Sequence, residues 1–227
     1  MATITALDDL YHNPTPRVPV ALCLDSSGSM RRDGKIKELV EGVNFFYDAV
    51  DEDDEAHDAV EISIVTFNDQ ATLVQDFADI EHVAELESIA AQGRTEIGSG
   101  VNLSLDILEK RKKDYFAAGV QYHQPWLVLM TDGKNEGSGS ELERAIKRVN
   151  DLVTQGKLTV MAFGIGDEAD MNLLQRFTPG DKPWRLRGVE FVELFKWLSQ
   201  SVATVSGSMV DEPPRKNVKA LKGFTDF

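Results

Sequence analysis

Five residues, read by type and spacing, carry the chemistry this chain offers. Asp25, Ser27 and Ser29 stand in Asp25-Ser26-Ser27-Gly28-Ser29, Thr95 follows in Gly93-Arg94-Thr95, and Asp132 lies in Thr131-Asp132-Gly133. Two carboxylates and three hydroxyls form an all-oxygen donor set, and such hard donors suit Mg2+ or Mn2+, with Ca2+ a further candidate. No cysteine or histidine belongs to the set, which disfavours zinc. Taken singly, each residue has an ordinary role: the serines a loop, Thr95 a helix cap, Asp132 before Gly133 a turn. Only their convergence on one spot makes a site, and that depends on the elements that carry them.

Val18 to Leu24 is a continuous apolar run that ends abruptly at Asp25, the pattern of a central parallel strand buried on both faces. Ile36, Leu39, Val40, Val43 and Val50 then recur at helical spacing. The acidic run Asp51 to Glu55, with His57 and Asp58 after it, reads as a solvated connector. Val60 to Phe67 and Ala71 to Phe77, joined by a tight turn at Asn68 and Asp69, predict an antiparallel edge hairpin.

Beyond the hairpin, Ile97 to Leu108, Leu142 to Val153, Met171 to Phe177 and Phe191 to Val202 carry helical stripes. Trp126 to Met130, Leu158 to Ile165 and a brief Trp184 to Leu186 read as strands, with Trp184 and Trp197 as packing residues. The alternation predicts an α/β fold: a doubly wound, mostly parallel sheet with one antiparallel edge strand and helices on both faces. In such a sheet ligands gather at the carboxyl ends of the strands. Asp25 and Asp132 end strands there, and Thr95 precedes a helix. Residues 1–15 read as an N-terminal extension, 16–205 as the domain, and 206–227 as a tail that is either mobile or docked by Phe224 and Phe227.

The D-x-S-x-S run, the distant threonine and Thr131-Asp132-Gly133 together resemble the metal-ion-dependent adhesion site, or MIDAS, of von Willebrand factor A domains, with all five positions filled. The stretch from Gly93 through Tyr115, Tyr122 and Gln124-Pro125-Trp126 to Gly133 is similar to the bacterial TerY-type branch, associated with tellurium resistance and stress. The resemblance implies that Ser27 and Ser29 bind the metal directly, and that Thr95, Asp25 and Asp132 bind directly or through water. It leaves one coordination place for an acidic side chain of a protein partner. It further implies a non-enzymatic adaptor in a stress-response or phage-defence system, whose partner is a co-encoded kinase, phosphatase or other effector.

The alternative is a nucleotide-binding or metal-dependent enzyme on a Rossmann-like sheet. Gly164-Ile165-Gly166 followed by Ala169 has a dinucleotide-loop pattern but follows a late strand, and Asp167 would face the pyrophosphate. Gly93 and Gly98 have P-loop spacing, but Ser99 stands where the phosphate-binding lysine is required. As a phosphatase nucleophile Asp25 would need a second aspartate where Ser27 stands. His12, His57, His82 and His123 are scattered, so no hydrolytic triad is readable.

Composition sets the outer limits. The 227 residues, 42% hydrophobic and 27% charged, suit one domain with a sizeable core. Twenty-four basic against 38 acidic residues give a net charge of -14, which argues against nucleic-acid or anionic-membrane partners. The one cysteine, Cys23, reads as a core hydrophobe. No signal-like start and no apolar run of about 20 residues is present, which leads to a cytoplasmic expectation. Against the overall charge, Arg31, Arg32, Lys35, Arg94 and Lys134 are expected to gather at the metal rim as a local positive target for an acidic partner.

Overall fold

Strands that are apolar at every position must be covered on both faces, and this chain supplies the cover by returning through a helix after most strands. The computed structural model describes residues 10–186, 191–208, 210 and 225–226. Its strands are β1 (Val18–Asp25), β2 (Val60–Phe67), β3 (Ala71–Asp79), β4 (Trp126–Thr131), β5 (Thr159–Ile165), β6 (Trp184–Leu186) and β7 (Thr225–Asp226). Its helices are α1 (Lys35–Asp51), α2 (Asp54–Ala59), α3 (Ile97–Ala118), α4 (Gly139–Thr154), α5 (Met171–Gln175) and α6 (Phe191–Ser206). The strands lie in the order β3-β2-β1-β4-β5-β6-β7. All neighbours are parallel except β2 with β3 and β6 with β7. This is the doubly wound α/β architecture expected, with β3 as its antiparallel edge and the two-residue β7 closing the opposite edge.

The sheet separates two apolar cores. Alternate β1 residues Val20, Leu22 and Leu24 face a core built with α1 and α6. Ala21 and Cys23 face the other, built with α3 and α4. Cys23 is fully buried, and burial holds its thiol up at about 12, so it packs as a hydrophobe. Trp184 likewise packs, its ring centroid 5.3 Å from that of Phe163 and 6.4 Å from that of Trp197.

Two expectations are corrected. The acidic run is not an open connector: α1 extends to Asp51, and Asp53 caps α2 by accepting the N–H groups of Glu55 and Ala56. Acidic residues suit a first turn because they face the positive end of the helix dipole. The hairpin turn spans Asn68 to Gln70, with Asn68 N–H donating to the Gln70 carbonyl, so it is a three-residue loop. Phe224 and Phe227 lie outside the described residues. No helix among those described is long and apolar enough to cross a membrane.

At the amino end of the sheet a buried charge cluster joins β2 to α3. Glu61 Oε2 and Oε1 accept Arg111 Nε and Nη2 at 2.7 and 2.8 Å, and Tyr115 donates its hydroxyl to Oε2 at 2.6 Å. Arg17 Nε stands 3.3 Å from Glu61 Oε1, and all four side chains are buried. Burial, with the Glu61 carboxylate beside it, pushes the Tyr115 phenol well above its ordinary range and keeps it a donor.

Candidate metal centre

The sheet changes winding direction between β1 and β4. β2 lies on one side of β1 and β4 on the other, so the chains leaving β1 and β4 part and leave a crevice at their carboxyl ends. Asp25 closes β1 and Asp132 follows β4 directly, so both acids stand at this crevice.

Backbone hydrogen bonds tie three loops together there. Ser26 N–H donates to the Phe67 carbonyl at 2.8 Å, Gln92 N–H to Ser26 at 2.8 Å, and Gly28 N–H to Gly93 at 3.0 Å. Glu96 N–H donates to Asn68 at 3.0 Å, and Glu136 N–H to Thr95 at 2.8 Å. Gly93 has φ +72, and a Cβ there would lie 2.1 Å from Asp69 Oδ2. Asp69 in turn accepts Arg94 N at 3.2 Å and Arg94 Nε at 3.0 Å, clamping the loop that carries Thr95. The first turn of α3 has a donor satisfied from outside, Ile97 N–H to Asn135 Oδ1 at 3.1 Å. A Cβ on Gly98 would fall 2.5 Å from Leu142 N, so glycine allows the close approach of α3 to α4.

Within this frame the hydroxyls and carboxylates meet. Ser27 Oγ and Ser29 Oγ are 2.9 Å apart, and Ser29 donates to Asp132 Oδ1 at 2.5 Å. Asp25, fully buried behind them, accepts Ser27 N–H at 2.7 Å and the Thr131 hydroxyl at 2.5 Å. Burial raises the Asp25 carboxyl to about 6; the hydrogen bonds from Thr131 and Ser27 oppose the rise and the Asp132 charge adds to it. Thr95 is buried, and a Cβ on Gly133 would stand 3.2 Å from its Oγ1, so the Thr95 hydroxyl faces the loop after β4. Ser27, Ser29, Thr95 and Asp132 line one open cleft of about 910 Å³, to whose lining Asp167 and Asp170 also contribute.

The donor chemistry fits a hard divalent cation. Among the described residues no group of three or more His, Cys, Asp or Glu could hold a metal, so any ion here must rely on hydroxyl oxygens together with the two acids. The contacts joining Ser27, Ser29 and Asp132 are bonds that a cation could replace.

Sequence reasoning missed three participants. Thr131 was visible as the residue before Asp132, but its bond to Asp25 crosses from β4 to β1. Asp69, by type and place, suggests only a turn. Lys35, expected at a positive rim, instead donates to Asp132 Oδ2 at 2.7 Å. The expected positive rim is corrected accordingly. Arg31 donates to the Ala91 carbonyl, Arg32 pairs with Glu168 at 2.9 Å, and Arg94 pairs with Asp69. Lys134 lines the cleft beside Glu136, Asp167 and Glu168, so the rim is mixed in charge.

The features read as possible enzyme motifs have packing explanations. Gly164 is pressed against Met171 and Ala169, where a Cβ would come within 2.5 Å of Met171 Sδ and 2.9 Å of Ala169 Cβ. The helix after it, α5, has five residues, and Asp167 and Glu168 face the cleft where a pyrophosphate would need donors.

An oxygen-rich switch-point site on a doubly wound sheet defines an α/β binding fold, and comparison narrows the class. The family model of the von Willebrand factor type A domain matches residues 20–187, and the chain belongs to that family. Its domains often mediate metal-dependent protein interactions and are in general not enzymes.

Among solved structures the chain is similar to the vWF domain of the type V pili tip protein Mfa5 from Porphyromonas gingivalis, with TM-score 0.65 and 12% identity over 87% of this chain and 99% of that one. It is similar to a von Willebrand factor type A protein from Catenulispora acidiphila, with TM-score 0.59 and 18% identity over 83% of this chain and 43% of that one. It also matches proximal thread matrix protein 1 of the mussel byssus, described with a zinc-occupied MIDAS motif, at TM-score 0.56 and 20% identity over 86% of this chain and 46% of that one. The chain therefore spans less than half the length of the last two. At these identities the likeness is one of fold. No curated protein matches.

Proposed function

We propose that this chain is a divalent-cation-dependent protein-binding module whose site is formed by Asp25, Ser27, Ser29, Thr95 and Asp132. The observation that carries the reading is the direct contact of Ser27, Ser29 and Asp132 oxygens, from segments more than a hundred residues apart, at the switch point and open to a cleft. The three hydroxyls and two carboxylates would hold Mg2+, with Mn2+ or Ca2+ as substitutes. A bound cation supplies an electrophilic coordination place for an anionic ligand. The chain's own residues position that place at the cleft wall and keep its other sides enclosed. An Asp or Glu side chain of a protein partner is the ligand such a place suits, because three of the five donors are neutral hydroxyls and a hard cation prefers an anionic oxygen at its remaining place.

The resemblance to the TerY-type branch favours a bacterial stress or defence adaptor in the cytoplasm, with a co-encoded kinase, phosphatase or other effector as partner. Titration calorimetry with Mg2+, Mn2+, Ca2+ and Zn2+ tests the site, zinc being included because the mussel protein's motif is described with it. One site per chain is expected, lost when Ser27→Ala and Ser29→Ala are combined. Unchanged Mg2+ affinity in that double variant would sink the assignment. A pull-down with and without Mg2+ then tests the partner reading.

A further inference from the structure

We infer that Lys35 is a charge-setting residue of the candidate metal centre: its ammonium, held against Asp132, leaves the loaded site net positive and so selects a carboxylate over a neutral ligand at the open position. The inference rests on the metal-binding reading above and adds a residue that the five-donor motif does not contain.

The placement of Lys35 follows from the backbone. Gly34, with φ +74, turns the chain so that α1 begins at Lys35. From there the side chain reaches back between the ends of β4 and β5, and Nζ meets Asp132 Oδ2 at 2.7 Å. Gly166 borders it on the β5 side, where an added Cβ would lie 3.8 Å from Nζ. Ser29 occupies Asp132 Oδ1, so one oxygen of Asp132 is engaged by a member of the donor set and the other by an ammonium outside it.

The charge count gives the consequence. Two carboxylates and a divalent cation cancel, whereas with the Lys35 ammonium one positive charge is left over. Of the other charges at the cleft, Arg32 and Glu168 are paired and more than half exposed, where water and salt screen them, and Lys134, Glu136 and Asp167 are exposed as well. Asp170, half-buried in the cleft lining, is engaged as the cap of α5 by Leu173 N–H at 3.0 Å. The Lys35 side chain is only 15% exposed and lies against a fully buried carboxylate, where the effective dielectric is lower and the same charge counts for more. Lys35 therefore acts in opposite senses on two equilibria. It repels the incoming cation and attracts the anion that follows.

The test uses the whole chain and two simple probes. Wild type, Lys35→Gln and Lys35→Arg are titrated with Mg2+ by calorimetry. After loading with Mn2+, each is titrated with acetate while water-proton relaxation reports displacement of metal-bound water. Lys35→Gln keeps a donor for Asp132 and removes the charge, so it should bind Mg2+ about tenfold more tightly and acetate about fivefold more weakly, while Lys35→Arg tracks wild type. A variant within about twofold of wild type on both probes overturns the inference, as does one that weakens both, the mark of a structural latch. If Lys35→Gln does not fold by circular dichroism, Lys35→Met, which fills the same space, takes its place with the same expected signs. A wild type that takes up no Mn2+ overturns the metal reading itself and this inference with it.

Discussion

Replacing Asp25 with asparagine tests whether the site carries unfavourable charge when no cation is bound. Asp25 is fully buried, and burial raises its carboxyl from 3.8 to about 6. Each pH unit between folded and unfolded values is worth about 1.4 kcal/mol, so an ionised Asp25 destabilises the metal-free fold by about 3 kcal/mol at pH 7.5. The sign follows from the folded value being the higher one. The folded chain holds the proton more tightly, so this contribution is fully favourable below about pH 4 and is lost as pH rises through about 6. At pH 5 about half of the destabilisation is present. Asparagine preserves the contacts, since its amide oxygen can accept Ser27 N–H and its NH2 can donate to the Thr131 hydroxyl.

In EDTA at pH 7.5, urea unfolding should find Asp25→Asn about 2–3 kcal/mol more stable than wild type, with a melting temperature roughly 4–12 °C higher. The advantage should shrink by about half at pH 5. Adding Mg2+ at about a hundredfold excess over Kd should close the gap, because only wild type gains the ~2.7 kcal/mol of binding. A variant less stable than wild type in EDTA at pH 7.5, or an advantage that ignores pH, would refute the reasoning and make Asp25 a purely structural residue.

Two further outcomes follow from packing. Glu61→Gln leaves Arg17 and Arg111 buried without their carboxylate and should cost about 3–5 kcal/mol, a drop of roughly 6–20 °C by calorimetric melting; a loss under about 1 kcal/mol would mean that water or rearrangement relieves the cluster. Gly98→Ala forces a Cβ into the α4 backbone and should cost about 1–3 kcal/mol. The same variant should weaken Mg2+ binding, since Thr95 leads into that turn of α3, and intact affinity would show that the loop is held independently of the helix contact.

Much of this molecule could be read from the chain because the parallel strands are buried on both faces. Val18 to Leu24 and Trp126 to Met130 had to be continuous apolar runs, and the polar residues that end them had to stand at the sheet's carboxyl edge. The placement of Asp25, Ser27, Ser29 and Asp132 at that edge was legible for that reason. What was not legible is set by side-chain pairing across distant segments. The nearness of Lys35 to a loop does not say that it will reach Asp132, and five cations near one edge do not reveal that Asp69, Glu168 and a carbonyl engage three of them. The helix α2 was missed because its acids suit a solvated loop as well as a first turn. The strand β7 was missed because two residues carry no period.

The loops of the centre are joined by main-chain bonds, Ser26 to Phe67, Gln92 to Ser26, Gly28 to Gly93 and Glu136 to Thr95, none of which uses a donor side chain. Much of the wiring of this socket is therefore main chain, and the exceptions are few: Asp25 accepts Ser27 N–H and Asp69 accepts Arg94 N–H, so those two side chains hold loops as well as facing the cleft region. For a protein engineer this makes Ser27, Ser29 and Thr95 the candidate donor positions to vary first when retuning the centre toward another ion, because none of these loop ties ends on their side chains, whereas a change at Asp25 or Asp69 would release a loop along with a contact.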